Sequence, residues 1–316
     1  MPRRSCRPLL PSSEGYGGTA RRGASERSRP GGTGQRGADC AGSGAPVAAA
    51  AILKSHPPGG AERWTRPNHA GRPVTLLEGP AYAVGVVAGA LSGGAGASAA
   101  VAGLGSGAFG ALDDLVGDSS SKGLRGHLAA ARRGEVTTGA IKIVGLGVTG
   151  LATAWTTDRR ERTRRGTTGP LATLVGGAVI AGSANIVNLL DLRPGRALKV
   201  VLLLAVPFLA VGRGTQLSTA SAAATMGAAL AVLPDDLAGR TMLGDTGANS
   251  AGALIGAALV SRTDLRGRLL ALAAVTLLTL VSEKVSFTKV IESSPGLRRL
   301  DALGRPPRSS HGDPLT

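Results

Sequence analysis

Two adjacent carboxylates, Asp113 and Asp114, close an apolar stretch rich in Gly and Ala, and a basic segment with Lys122, Arg125 and His127 follows. Asp118 stands four residues after Asp114, on the same face if the helix continues. Carboxylates at the end of a membrane helix are costly unless they meet water, a metal or a partner. Together with the basic loop they suggest a divalent cation that holds an anionic substrate at a membrane surface. The same residues also fit a solvated helix end with ordinary loop charges.

Two further clusters could join them. Asn185, Asn188 and Asp191 recur three apart and share one helical face; hydrogen bonding between membrane helices is the other use of such a row. In Leu243-Gly-Asp245-Thr-Gly-Ala-Asn249 an Asp occupies a glycine-flexible turn before an apolar run. Backbone N–H groups at a helix start can meet an anion, and a plain N-cap gives the same pattern. Asp235 and Asp236, after Pro234, read as a solvated loop, and His56, His69 and His311 have no ligand spacing. Cys6 and Cys40 are the only cysteines, too few and too isolated for a disulfide framework or a thiolate zinc site.

The elements that would position these residues are membrane helices. The chain has 316 residues, 43% of them hydrophobic, and they are unevenly spread. Residues 1–73 are polar and rich in Arg, Gly, Pro and Ser, whereas residues 74–282 form a series of Ala, Val, Leu and Gly runs. The pattern predicts an all-α, polytopic membrane bundle. Apolar runs at 74–91, 95–112, 140–155, 170–190, 198–211, 219–233, 250–260 and 269–282 predict eight spans. A remnant at 45–53 would make nine. Residues 1–44 lack apolar periodicity and read as a disordered tail. The expected organisation is a polar tail over 1–62, a membrane domain over 63–282 and a cytoplasmic tail over 283–316.

Gly103 and Gly107 are spaced for close helix contact. Gly105-x-Gly107-x-x-Gly110 matches a dinucleotide-binding pattern but lies inside an apolar run, which excludes that use. The net charge of +16 suits a membrane face that meets anionic lipid or phosphate. Nucleic acid is not expected, because the basic residues lie in short loops and only 2% of residues are aromatic. Trp64 is expected as an interfacial anchor.

Counting crossings puts 63–74, 113–138, 191–197, 234–249 and the tail after Ser282 on one side, expected to be cytoplasmic. Every motif then falls on that face of a multi-pass protein of the cell membrane. Most Lys and Arg agree with this orientation, but the loop 156–169, with five arginines, does not.

D-D-L-V-G-D with K-G-L-R-G-H, then N-x-x-N-x-x-D, then L-G-D-T-G-A-N, in this order, resemble the polyprenyl-phosphate N-acetylhexosamine-1-phosphate transferase superfamily. That superfamily contains the phospho-N-acetylmuramoyl-pentapeptide transferase and the GlcNAc-1-phosphate transferases. The resemblance spans about residues 63–282. It implies transfer of a sugar 1-phosphate from a UDP-sugar to polyprenyl phosphate, with Mg²⁺ and release of UMP, in cell-envelope synthesis. By the same resemblance, Asp113, Asp114 and Asp245 are catalytic, and Asp245 with Asp114 holds the metal. Lys122, Arg125, His127, Asn185, Asn188 and Asp191 would bind substrate. The implied partners are polyprenyl phosphate, a UDP-sugar and the bilayer, with a homodimer as a candidate assembly. The chain departs from the family in three places: Leu-Arg-Pro-Gly195 comes after Asp191, no His-rich loop precedes the last span, and the third motif ends in Ala-Asn. Two other readings stay open, an inactive relative that binds the same ligands and a small-solute transporter.

Overall fold

The computed structural model describes residues 49, 52–53, 55–68, 71–117, 126, 130, 132–165, 169–210 and 214–306, without the side chains of 163–165. The expected disordered tail lies outside these residues. So does most of 45–53, of which Ala49, Ile52 and Leu53 are helical.

Each of the eight apolar runs falls on a helix. In chain order these are α1 (Glu78–Ser92), α2 (Ala97–Val116), α3 (Thr138–Arg165), α4 (Pro170–Leu190), α5 (Arg196–Ala210), α6 (Gln216–Leu237), α7 (Gly244–Val260) and α8 (Leu265–Ser282). Two short helices come after them, α9 (Phe287–Ser293) and α10 (Pro295–Ala302). Local chemistry fixes several starts. Pro170 opens α4 with a φ already suited to a helix. The Thr215 hydroxyl accepts from Ser218 N at 3.0 Å to cap α6, and Asp264 accepts from Gly267 N at 2.9 Å to cap α8.

Among the described residues, five helices are long and apolar enough to cross a membrane: α2, Thr138–Arg162 of α3, α4, α6 and α8. The chain is thus an all-α, membrane-embedded bundle. The expectation of eight or nine spans is not confirmed by these five, and the difference is one of length. Helices α1, α5 and α7 have 15, 15 and 17 residues. At 1.5 Å per residue they reach about 22–26 Å, short of a hydrocarbon layer about 30 Å thick.

Helix α7 is the centre. It packs against α1, α2, α4 and α6, and nearly all of it is buried. Its sequence of Gly, Ala, Ser and Asn keeps side chains small, so that neighbouring backbones come close. At the other extreme, Arg268 is the one buried residue of α8, and Leu270, Leu277 and Leu280 face outward as a lipid-facing helix requires. Inside α2 the segment Val101–Gly105 is a π-helical turn. The wider turn rotates the C-terminal half of α2, including Asp113 and Asp114, away from the positions a regular helix would give it. The glycine pattern 105–110 lies in and just after this turn, in continuous helix, so no strand–turn–helix exists there.

Before α1, strands β1 (Thr65–Pro67) and β2 (Pro73–Thr75) pair antiparallel with Thr65 opposite Thr75. The ribbon reaches the chain before α7, where Met242 N donates to Thr75 O at 3.1 Å. Trp64, expected at the lipid interface, is buried instead. It packs with Leu76 and Leu77, and its indole N–H donates to Pro58 O at 2.9 Å.

Candidate functional site

The three acidic motifs meet at one end of the bundle. The approach of α2 to α7 brings the first and third together, and Gly110 permits it. A Cβ on Gly110 would run into the backbone carbonyl of Asp245. One turn later come Asp113 and Asp114, both against the start of α7.

Their roles differ. Asp114 binds the backbone of α7: its Oδ1 accepts from Asp245 N at 3.1 Å, and its Oδ2 from Thr246 N at 2.9 Å and Thr246 Oγ1 at 2.6 Å. It therefore caps α7 from a neighbouring helix, taking N–H groups that no carbonyl of α7 can reach. Gly244, with φ 63°, makes the turn that presents these groups, and a Cβ there would crowd the Asp114 carboxylate at 3.1 Å. The Asp114 carbonyl accepts from Arg66 Nη2 at 2.8 Å, which ties the β-ribbon to α2.

Asp113 and Asp245 instead converge on a cation. Lys142 Nζ lies 2.6 Å from Asp113 Oδ2 and also contacts Asp245 Oδ2. Asn188 completes the group, with its amide oriented to donate to Asp245 Oδ1 at 2.8 Å and accept from Lys142 Nζ at 3.3 Å. Asp191, just past α4, accepts from Gly244 N at 2.9 Å and is buried. That burial, and next the charge of Asp236, push its carboxyl well above the usual carboxylate range.

The cluster lines a cleft of about 330 Å³ that includes Arg66, Asp113, Asp114, Asn188, Asp191 and Asp245. A second cavity of about 270 Å³ lies beside it and shares Asp191, Leu192 and Met242. A third, of about 340 Å³, begins at Lys142 and Asn188 and continues between α3, α4 and α8 along Ile143, Leu146, Gly182 and Thr279. Asn185 lines this mostly apolar groove rather than the cleft.

The donor set suits a small divalent cation. Among the described residues no group of three or more Asp, Glu, His or Cys side chains is set to hold a metal. Magnesium, however, is commonly held by one or two carboxylates, with substrate phosphate and water completing the shell. Asp113 and Asp245 supply two, with Asn188 beside them, and they already converge on a positive charge. Asp114, expected to share the metal with Asp245, has both oxygens engaged by α7.

Lys122, Arg125, His127 and Asp118 lie outside the described residues. Lys142 escaped the sequence reading, although one signal was available: an isolated Lys in an apolar membrane run is expensive and needs a partner. Asp236, read as solvated, is buried and accepts from Gly195 N at 2.8 Å, while Asp235 pairs with Arg240 at the surface. Glu78 is also buried here and accepts from the Thr241 hydroxyl. Compared with known proteins, the chain matches no family model, and no curated protein is similar to it.

Proposed function

We propose that the chain transfers a sugar 1-phosphate from a UDP-sugar to polyprenyl phosphate at the membrane surface. One observation carries the reading. Carboxylates from two distant segments, Asp113 and Asp245, hold one lysine where a cleft lined by acidic residues and a mostly apolar groove between helices share Asn188. A reaction between a water-soluble phosphate ester and a lipid phosphate needs that junction.

In this reading the groove takes the isoprenoid chain and leaves its phosphate beside Lys142. The cleft takes the diphosphate, and the cavity beyond Asp191 the nucleoside. An oxygen of the lipid phosphate attacks the phosphorus that carries the sugar, and the bond to the bridging oxygen of UMP breaks. Such transfers depend mainly on positioning and charge neutralisation. Lys142 offsets phosphate charge, and Asp113 and Asp245 hold its ammonium in place. Asp114 fixes the start of α7, and so the direction in which Asp245 points. Asn188 orients Asp245 by its amide N–H. Mg²⁺, held by Asp113 and Asp245, would supply further charge neutralisation at the phosphates.

The test is UMP release by the purified chain in proteoliposomes with polyprenyl phosphate, Mg²⁺ and a panel of UDP-sugars. Turnover that disappears in Asp245→Asn, with the protein still folded, supports the proposal; no UMP with any donor overturns it. A second reading, a non-catalytic binder of the same ligands, draws on the lysine that already neutralises Asp113 and Asp245. It predicts binding of UDP-sugar without release of UMP. A transporter is disfavoured because its polar groups would gather near the bilayer midplane.

A further inference from the structure

We propose that the C-terminal hairpin of α9 and α10 is an interfacial element seated on an anionic lipid leaflet. The hairpin is held against the bundle through its acidic residues. Asp301 binds Arg196 through both carboxylate oxygens at 2.8 and 3.1 Å, and Arg305 at 3.0 Å. Arg196 also reaches the Thr288 hydroxyl at 2.9 Å, and Glu292 pairs with Arg193 at 3.1 Å. Lys199 donates to the Asp301 carbonyl at 2.7 Å.

These ties fix both depth and orientation. Arg196 and Lys199 belong to the first turn of α5, where its apolar run begins. The hairpin therefore lies along the flank of the bundle at the polar–apolar boundary, not out in the aqueous phase. With Asp301 drawn inward and Glu292 paired with Arg193, the surface carries Lys284, Lys289, Arg298 and Arg299, all exposed and none in an ion pair with a described residue. Between them Val285, Val290, Leu297, Leu300 and Leu303 are exposed, Leu303 by 66%. The hairpin comes only a few residues after α8, whose own exposed leucines suit lipid. Basic side chains interleaved with exposed Leu and Val at bilayer depth match a surface of phosphate headgroups over acyl chains.

The experiment uses the full chain with Cys6→Ser and Cys40→Ser, a bimane label at Leu303→Cys, and nanodiscs of equimolar phosphatidylglycerol and phosphatidylcholine. Bromine is placed on the acyl chains of one lipid at a time. The expected result is quenching of the label, stronger by about twofold or more when phosphatidylglycerol carries the bromine, since each nearby Lys or Arg favours anionic lipid. The combined variant Lys284→Gln, Lys289→Gln, Arg298→Gln and Arg299→Gln should bring the ratio to about one while quenching persists. A label that neither lipid quenches overturns the proposal, as does equal quenching by the two lipids in the unsubstituted chain.

Discussion

The two ends of the bundle both bury charge, and they do so in opposite ways. At the end away from the cleft, Asp158 on α3 binds Arg268 on α8 through both oxygens at 2.5 and 3.0 Å, and Thr173 Oγ1 at 2.7 Å. Arg268 is 2% exposed and also donates to the carbonyls of Ala172 at 2.8 Å and Val260 at 3.1 Å. One carboxylate meets one guanidinium, and protein surrounds both. At the cleft end Glu78, Asp113, Asp114, Asp191, Asp236 and Asp245 gather with Lys142 as the cation bound between two of them, beside open volume. A matched buried pair locks helices together. An excess of one sign next to a cavity is left for something else to balance.

The arginine-rich stretch that fits poorly on an outer face belongs in part to the closed end. Asp158 lies within it as the buried partner of Arg268. Arg160 donates to the Gly94 carbonyl at 2.6 Å and to that of Ala95, closing the loop between α1 and α2. Arg159 lies over the Trp155 ring at 4.0 Å. Arg159 and Arg160 thus bind protein, and their number says little about membrane sidedness.

The sharpest way to break the comparison is to unbalance the closed end. Arg268→Leu leaves Asp158 buried and unpaired, and should cost about 3–5 kcal/mol in unfolding experiments in detergent, with Arg268→Leu plus Asp158→Leu recovering most of it. Losses that simply add would show that the pair is not coupled. At the cleft end the expected pattern reverses. Lys142→Gln should lower UMP release by about 10²–10³-fold with a smaller change in stability, by analogy with loss of one charge-stabilising donor. Equal stability losses at both ends would remove the distinction.

Smaller effects sharpen it. Gly110→Ala forces α2 away from α7 and should cost about 1–3 kcal/mol, read by thermal unfolding, with turnover falling as well because Asp113 moves from Asp245. Asp114→Ala removes the cap on α7 and should cost about 1 kcal/mol. The smallest effect concerns pH. Burial pushes the Asp301 carboxyl up, but Arg196 and Arg305 outweigh it and hold it below the usual range. Its contribution to docking the hairpin is therefore present above the ordinary Asp range and lost as pH falls through its own lower value. Protease cleavage between α8 and α10 should rise only in that acid window, and Asp301→Asn should remove the pH step.

Much of this was legible in the sequence, for identifiable reasons. Apolar runs report helices directly, and all eight fall on one. Asp113, Asp114, Asn188, Asp191 and Asp245 stand in short motifs whose local spacing is itself a signal, and they do come together. Span number was less legible, because an apolar run does not say whether lipid or protein will surround it; α7 is apolar and buried by its neighbours. Lys142 and Asp236 were missed for a related reason. A lone charge acquires meaning only from partners distant in sequence, and nothing near Lys142 announces Asp113 and Asp245. The division of labour between Asp113 and Asp114 was equally hidden. Adjacent helical residues point about 100° apart, and only the placement of α7 decides which one it takes.

Helix α7 runs from one end of this arrangement to the other. Asp245 sits in its first turn, and the carbonyl of Val260, its last residue, accepts from Arg268. It works as a strut of fixed length, so the guanidinium at the far side sets the height and azimuth at which the acid is offered to the cleft. Inserting one alanine between Ala253 and Leu254 would swing Asp245 by about 100° about the axis and shift it by about 1.5 Å, with no residue of the cleft altered.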